Sequence, residues 1–373
     1  MKRFMTGWMA LALVAVLANG TAAQEQTIRP AGKTVKDLAI RGRVQTQFGY
    51  ASAKNDEGSD DYNTFEIRRV RMGMRGTLFD SVRAQLEANL VPGSSLSMRT
   101  AFLQWREHKA AYIRVGVDKP HSSIEENTSS AEILTIERSL INGMVAAPGA
   151  LNGLALDGQA PMLIYGAGIY TDTANRNAGG KDSKYLLNAM VGLKLDDLVG
   201  DNNKLLIRAN WLNSDDPDGS VGGKFDDVIV VGAHLAAGAF DLRTEYFMGD
   251  ADGNDTKGFY VMPSLRFTDN IQGVLRFEQA ETDKSRGISA PSRYARNIPS
   301  LSARETKDAD GNVVSKVEPQ KGDQYQSLYA GINYYISGNG NKLMFGVESA
   351  ELKNTDAGKL EMLTASAAWR MLF

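Results

Sequence analysis

Arginines at two-residue spacing are the most distinctive chemical feature of this sequence. Arg41 and Arg43 form one set, and Arg69, Arg71 and Arg75 form a second set that alternates with apolar or small residues. In an extended strand this spacing places the guanidinium groups on one face. Each guanidinium offers forked donors to a phosphate or carboxylate, so a row of them is a series of weak, overlapping anion sites.

Further arginines lie on the polar faces of predicted strands: Arg83, Arg114, Arg208, Arg243, Arg266, Arg276 and Arg370. Alternatively, the arginines pair with acids on the same faces and only hold the structure together. The candidate partners are Glu87, Asp118, Glu245, Glu278 and Glu348. For the dense group formed by the two sets above we favour an anion-binding surface.

Polar and apolar residues alternate along the segments that carry these arginines. From Val82 to Leu90, for example, the even positions are apolar and the odd positions are polar, which is typical of a strand with one apolar face. We predict sixteen such strands, at 38–50, 64–77, 82–91, 97–107, 111–118, 151–159, 162–171, 184–196, 204–213, 226–236, 239–249, 257–267, 270–280, 323–336, 341–351 and 360–372.

The connections between these strands alternate between long and short. The long ones are 51–63, 119–150, 172–183, 214–225 and 281–322. A transmembrane β-barrel has long extracellular loops at one end and short periplasmic turns at the other, and it must be closed because lipid cannot satisfy an open sheet edge. We therefore predict an all-β, 16-stranded antiparallel transmembrane β-barrel.

The two ends of the chain agree with export to a bacterial outer membrane. Met1-Lys2-Arg3, an apolar stretch and small residues ending near Ala23 are typical of a signal peptide. We therefore predict a signal peptide at 1–23, an N-terminal periplasmic segment at 24–37 and the barrel at 38–373. At the other end, the last strand alternates up to Phe373, with Trp369 on its apolar face, and we expect this strand to close the barrel. A C-terminal aromatic of this kind resembles the signal read by the barrel-assembly machinery.

The 119–150 connection is a candidate constriction loop. Ser129 and Glu132 have the spacing of a capping box, and the apolar residues that follow predict a short amphipathic helix ending near Gly143. Folded into the barrel, the loop would narrow the lumen. Its charged residues, Glu125, Glu126, Glu132, Glu137 and Arg138, would then face the wall arginines and create a transverse field. Alternatively, the loop is a solvated external lid.

Composition excludes several other classes of protein. The 373 residues contain no cysteine, which removes disulfides, thiol catalysis and cysteine-ligated zinc. The net charge of −2, which becomes −4 without Lys2 and Arg3, predicts no nucleic-acid surface. His108, His121 and His234 have no catalytic spacing, and no Gly-x-Ser-x-Gly motif is present. We expect no enzyme activity, no cofactor and no metal site.

Two segments also carry a family resemblance. The stretch Thr64–Gly76, with the sequence TFEIRRVRMGMRG, and the stretch Thr135–Leu140, TIERSL, resemble the phosphate-selective porin O and P family. The sixteen-strand layout and the terminal Phe fit the same family. The resemblance implies a trimeric, water-filled porin, with anion preference in some members. Rows of arginine and a lysine-rich mouth give phosphate selectivity in the best-known members; the arginine row has counterparts here, whereas a lysine cluster is not evident.

The sequence therefore predicts an outer-membrane porin for passive diffusion of small hydrophilic solutes, biased toward anions by lumenal arginines. One alternative is a channel selective for phosphate or pyrophosphate. Another is a plugged structural or adhesive barrel that binds a partner through its loops. The expected partners are outer-membrane lipid, lipopolysaccharide, the barrel-assembly machinery, small anionic or polar solutes and further copies of the chain in a homotrimer.

Overall fold

The strands of this protein form one closed cylinder. The computed structural model describes residues 26–28, 34–55, 58–91, 93, 96–171, 184–214, 225–251, 253–283, 287–289, 298, 304–307, 313–317, 321–354 and 358–373. Within these residues, sixteen long strands build the wall: β1 Val35–Asn55, β2 Gly58–Leu78, β3 Val82–Asn89, β4 Ser97–His108, β5 Ala111–Asp118, β6 Leu151–Gln159, β7 Leu163–Thr171, β8 Tyr185–Lys194, β9 Lys204–Ser214, β10 Asp227–Ala237, β11 Phe240–Ala251, β12 Asn254–Thr268, β13 Ile271–Thr282, β14 Gln324–Ser337, β15 Asn341–Asn354 and β16 Gly358–Leu372.

Each strand pairs antiparallel with the next, and the first and last strands close the ring. The ladder between β1 and β16 runs from the pair Arg43 and Leu372 to the pair Lys54 and Glu361. At its end, the Phe373 N–H donates to the carbonyl of Gly42 at 3.0 Å, and the Gly42 N–H donates to the carbonyl of Phe373 at 2.5 Å. The expected closure of the barrel at the C-terminal strand is confirmed. A short strand, Gln26–Ile28, extends the same edge of β1 beyond Phe373.

The predicted sixteen-strand barrel is confirmed, but the first connection was predicted too long. Residues 51–63 were expected as a loop, whereas β1 and β2 stay paired as far as Asn55 and Gly58. The reason is that Ala51 and Ala53 are buried inside the barrel while Ser52 and Lys54 face out. The alternation of inward and outward side chains therefore continues along both strands beyond the apolar part of the outer surface. The predicted loop 172–183 lies outside the described residues, as do residues 215–224 of the predicted loop 214–225, the signal peptide and most of 24–37.

The outer surface is apolar, as contact with lipid requires. Leu103, Val115, Val191, Leu275 and Leu328 are among the outward side chains that are about half exposed. Trp369 also lies on this side, where its indole N–H donates to Asn341 at 2.8 Å. In the described part of the chain, the helices are too short and too polar to cross a membrane.

The interior is not lined by polar groups throughout. On β8 to β13, inward side chains such as Leu186, Val230 and Phe247 are buried in an apolar core that also contains Ile141 and Val145 of the 119–150 connection. Burying such a side chain stabilises the fold by about 1.5–3 kcal/mol. These side chains therefore fill one side of the lumen, and the other side is left to water.

Several ladders of the wall are interrupted by a β-bulge, where one strand has an extra residue, and in two of these bulges the extra residue is an arginine. On β2, Arg69 pairs with Gln45 and Ile67 pairs with Thr46, so Arg68 is the extra residue. On β4, Thr100 pairs with Glu87 and Met98 with Ala88, so Arg99 is the extra residue. Because a bulge shifts the inward and outward alternation by one position, the lumenal face of each strand gains an arginine.

We predict that Gly116→Ala destabilises the barrel by about 1–3 kcal/mol. Gly116 has φ of +124°, a conformation that L-residues rarely adopt, and an added Cβ would lie 2.2 Å from the Ala101 carbonyl oxygen. Denaturant unfolding in detergent micelles measures the effect. Gly143→Ala is the control because an added Cβ meets no atom within 4 Å there. Equal stability of Gly116→Ala and the wild type would contradict the prediction.

Candidate anion-binding constriction

Three arginines converge on one carboxylate inside the barrel, that of Glu87. Nitrogens of Arg41 and Arg43 each lie 3.6 Å from its Oε2, and a nitrogen of Arg71 lies 3.4 Å from its Oε1. The strand register produces this meeting, because Gly73 lies between Arg41 and Glu87 in the ladder and has no side chain. One carboxylate thus partly neutralises three cations.

The β4 bulge adds a fourth arginine to this group. Arg99 lies close enough to Arg43 and Arg71 to repel them electrostatically. The Nε atoms of Arg71 and Arg99 are buried and have no hydrogen-bond partner among the described residues. We call Arg41, Arg43, Arg71, Arg99 and Glu87 the wall cluster. Its formal charge is +3.

The 119–150 connection folds into the lumen, where wall cations bind its backbone. Arg370 donates to the carbonyls of Ser130 at 3.0 Å and Ile136 at 2.5 Å. Lys342 donates to the carbonyl of Ile133 at 3.1 Å, and Arg43 donates to the Ser130 hydroxyl at 2.6 Å. The alternative of an external lid is therefore wrong, and we call this connection the constriction loop.

Two wall carboxylates hold the opposite side of the constriction loop. Its helices are α1, Ile124–Asn127, and α2, Leu140–Val145. Glu245 accepts the backbone N–H groups of Ile124 at 2.5 Å and Glu125 at 2.9 Å. Glu278 accepts the N–H of Ile141 at 2.7 Å. Carboxylates stabilise helix N-termini because the first N–H groups have no partner within the helix.

The helix was predicted in the wrong part of this loop. Ser129 and Glu132 form a turn, with the Glu132 N–H donating to the Ser129 carbonyl at 2.8 Å, but no helix follows. The real N-caps are Ser123 and Ser139, whose hydroxyls accept from Glu126 and Asn142. The carbonyls of Ser130, Ile133 and Ile136, which a helix would use internally, accept from wall cations instead.

Three of the four loop glutamates lie near wall arginines, Glu137 beside Arg68, Glu125 4.0 Å from Arg276 and Glu132 near Arg43, but most of these acids are committed to specific partners. Glu125 is buried and accepts from the N–H and hydroxyl of Ser139. Glu126 forms ion pairs with Lys119 and, at 3.5 Å, with Arg138. Glu137 forms a bidentate pair with Arg68 at 2.9 and 3.2 Å. Of the four predicted glutamates, Glu132 is the exposed one.

Two of these loop acids are held in the charged form by their neighbours. Burial would raise the pKa of Glu137, but the charge and hydrogen bonds of Arg68 outweigh it and lower the pKa to about 2. Burial likewise opposes ionisation of Glu126, and the charges of Arg138 and Lys119 outweigh it, so its pKa lies below the ordinary value. Both carboxylates are thus committed to ion pairs within the barrel.

The open side of the lumen lies along β2 to β6. Inward side chains there, such as Gln85, Phe102 and Gln104, are half-buried, whereas those of β8 to β13 are mostly buried. Across this space, Arg138 acts electrostatically on Arg71, and Arg99 acts on Lys119. The constriction loop therefore presents Lys119 and Arg138 to a basic wall, together with Glu132, which acts on Arg43.

The remaining predicted arginines are divided between the two interpretations. Arg114 pairs with Asp118 at 2.6 Å and Asp157 at 3.4 Å, and Arg243 pairs with Asp241 at 3.1 Å. Arg276 also pairs with an acid, Glu348, at 3.0 Å. Four more bind neutral groups or face the lumen half-buried: Arg69 donates to Gln45, Arg83 donates to Gln85, Arg208 donates to Asn127 and Asn210, and Arg75 is half-buried on β2. Arg114 and Arg243 thus hold the wall, as the alternative interpretation proposed.

Sequence reasoning missed Arg68 and Arg99 as lumenal residues, although a signal was present. On β2 the apolar positions are odd at Phe65 and Ile67 and even from Val70 onward. On β4 they are even at Leu96 and Met98 and odd from Ala101 onward. Such a change of phase within one strand requires a bulge, and here an arginine lies at each change.

We predict that Glu245→Gln loosens the constriction loop. The amide keeps the size of the side chain but has one acceptor oxygen, so one of the two α1 N–H groups loses its partner, at a cost of about 1–3 kcal/mol. Single-channel recording should show larger open-channel noise than in the wild type. Glu107→Gln, at an exposed position on β4, is the control. Unchanged noise in Glu245→Gln would contradict the role of this carboxylate.

We predict that the stabilising effect of Glu137 is lost at acidic pH. Its folded pKa of about 2 lies below the ordinary value of 4.5, so its contribution is complete above about pH 5 and disappears as the pH falls toward 2. The unfolding free energies of wild type and Glu137→Gln should differ at pH 7 and converge near pH 2.5. A difference that does not change with pH would contradict this. Glu132→Gln is the control.

Comparison with known proteins agrees with this geometry. The sequence profile described as phosphate-selective porin O and P matches residues 38–238, more than half of the chain. None of the curated proteins compared with the chain matches it significantly.

Solved porin structures share the fold at low sequence identity. An anion-selective porin from Comamonas acidovorans aligns with a TM-score of 0.59 at 13% identity, over 90% of this chain and 99% of that one. The outer membrane channel DcaP of Acinetobacter baumannii aligns at 0.57 and 14%, over 90% and 97%. A trimer form of OmpT from Vibrio cholerae aligns at 0.55 and 10%, over 90% and 99%. With its sixteen-stranded barrel and the matched profile, the chain belongs to the phosphate-selective porin O and P family.

Proposed function

We propose that this outer-membrane porin conducts small hydrophilic anions by passive diffusion through the space between the wall cluster and the constriction loop. The observation that carries the proposal is the excess of positive charge on the wall side of that space. The wall contributes four arginines against Glu87, whereas on the loop Lys119 and Arg138 are balanced by Glu126 and by Glu132, which acts electrostatically on Arg43.

The mechanism is electrostatic attraction followed by rapid exchange. Each unit charge at about 4 Å changes the energy of a monovalent ion by about 1 kcal/mol in water, and by more where the wall excludes water. Several neighbouring guanidinium groups let an anion move from one to the next without being trapped. Glu87 keeps the site weak, because it competes with the passing anion for three of the arginines.

Selective passage of phosphate or pyrophosphate is the second candidate. The support for it is the pair of buried Nε donors on Arg71 and Arg99, which have no partner among the described residues. A tetrahedral oxyanion offers several acceptors to such donors. Competition by phosphate against the chloride current distinguishes this candidate from a general anion channel.

The remaining partners and roles follow from family and fold. A homotrimer is supported by the trimer form of one structural neighbour, and recognition by the barrel-assembly machinery is supported by the aromatic end of β16, with Trp369 and Phe373. The signal peptide at 1–23 and the periplasmic segment at 24–37 complete the proposal. We propose no catalytic role. A purified protein that never conducts in a planar bilayer would favour a plugged structural or adhesive barrel.

We predict opposite shifts of selectivity for two substitutions in the wall cluster. Arg99→Ala removes a positive charge and should lower the anion-to-cation permeability ratio by about fivefold, the factor that corresponds to 1 kcal/mol. Glu87→Gln removes the negative charge and should raise the ratio by a similar factor. Zero-current potentials in a salt gradient measure both.

The control for these variants is Lys257→Ala, which removes a charge from the outer surface of β12. Its zero-current potential should equal that of the wild type. Shifts of Arg99→Ala and Glu87→Gln in the same direction would contradict the proposed electrostatic role of the wall cluster.

A further inference from the structure

A groove crosses the outer surface of the barrel where the apolar band meets the polar extracellular rim. It has a volume of about 700 Å³ and is lined by β1, β13, β14, β15 and β16. We call it the rim groove. It lies outside the barrel and shares no residue with the wall cluster.

The register of the five strands places the outward side chains of the rim groove in rows that run from strand to strand. The lower row is Phe277, Leu328, Ser349, Leu363 and Ser52. Below it, the outward residues Leu275, Ala330, Val347 and Ala365 are apolar. Ser349 and Ser52 are small, so they leave depressions between the larger apolar side chains. This row has the shape and polarity to hold an acyl chain at the top of the lipid layer.

The row above is polar and consists of Gln326, Glu351, Glu361 and Lys54. Amides donate and accept hydrogen bonds, and carboxylates accept them. This combination suits the hydroxyl groups of a sugar. A lipid with a simple phosphoglycerol head offers fewer hydroxyl groups to these side chains.

Lysines surround these acids on the extracellular side. Lys353 and Lys359 face each other on β15 and β16, and Lys54 lies opposite Glu361 on β1. Lys359 forms ion pairs with Glu351 and, at 2.9 Å, with Glu361. Lys353 lies 3.4 Å from Glu351 and is half exposed. The three lysines exceed the two glutamates by one charge, and an ammonium group is a suitable partner for a phosphate.

We propose that the rim groove binds one molecule of a phosphorylated glycolipid, the lipopolysaccharide of the outer leaflet. Its acyl chain lies along the lower row, its sugar hydroxyls contact Gln326, Glu351 and Glu361, and its phosphate contacts the lysines. The charge complementarity, the sugar-binding side chains and the position at the polar boundary all point to the same amphiphile.

Native mass spectrometry of the detergent-solubilised barrel tests the proposal, with deep-rough lipopolysaccharide and phosphatidylglycerol as probes. The wild type should retain one lipopolysaccharide and bind it at least tenfold more tightly than phosphatidylglycerol. The triple variant Lys54→Gln, Lys353→Gln, Lys359→Gln should weaken lipopolysaccharide binding at least tenfold. Ser349→Trp, which fills the groove without changing any charge, should weaken it similarly.

The matched control is Lys257→Gln, which removes an outward lysine that pairs in register with Glu281, beside the groove. It should bind lipopolysaccharide like the wild type, and every variant should show the heat-dependent gel mobility of a folded barrel. Equal binding of the two lipids by the wild type, equal losses in the control and triple variants, or full binding by Ser349→Trp would each overturn the proposal. Conductance is measured separately, so this outcome is independent of the channel proposal.

Discussion

The path of the constriction loop depends on charged wall side chains that satisfy its backbone. An irregular segment inside a barrel has carbonyl and N–H groups without regular partners, and leaving them unsatisfied is costly. Here Arg370 and Lys342 supply donors to the carbonyls of residues 130–136. Glu245 and Glu278 supply acceptors to the first N–H groups of α1 and α2. The loop is therefore fixed from both sides of the lumen.

This arrangement gives the inward arginines two different tasks. Arg276 and Arg370 are almost fully buried beneath the loop, where Arg276 also lies 3.0 Å from Glu348. They belong to the part of the wall that holds the loop. Arg71 and Arg99, on β2 and β4, remain beside the open space. Side chains of the same type, placed inward by the same alternation, thus differ in function because only some lie under the loop.

The sequence was sufficient for the barrel and insufficient for the loop. Each strand had to present apolar residues to lipid at every second position, so period-2 alternation identified all sixteen strands. The path of the loop depends on contacts far apart in the chain, such as Lys342 with Ile133, and local pattern does not contain them. The apolar residues at 133, 136 and 140 suggested a helix stripe near Ser129, whereas they are buried against the inside of the barrel.

One local signal could have located the filled side of the lumen. Val228, Ile229, Val230 and Val231 form a continuous apolar run on β10, with Val228 and Val230 buried inside and Ile229 and Val231 exposed outside. A strand that is apolar on both faces is covered on both faces. A strand with water on its inner face would not need apolar residues there. An inward aromatic residue is covered in the same way: Tyr260 is buried inside the barrel, where its hydroxyl donates to Glu245 at 2.8 Å.

The distribution of charge determines which kind of selectivity this constriction can produce. An acidic loop opposite a basic wall would create a field across the lumen and orient dipolar solutes. Here Glu126 pairs with Lys119 and Arg138 within the loop, and Glu137 pairs with Arg68. Glu132 is then the loop acid that acts on the basic wall, through Arg43. The excess of positive charge on the wall is then not cancelled by a net negative loop, so the potential concentrates anions along the pore more than it orients dipoles across it. Selection by sign of charge follows from the two bulges as much as from the regular arginine row, because without its bulge Arg99 would face lipid.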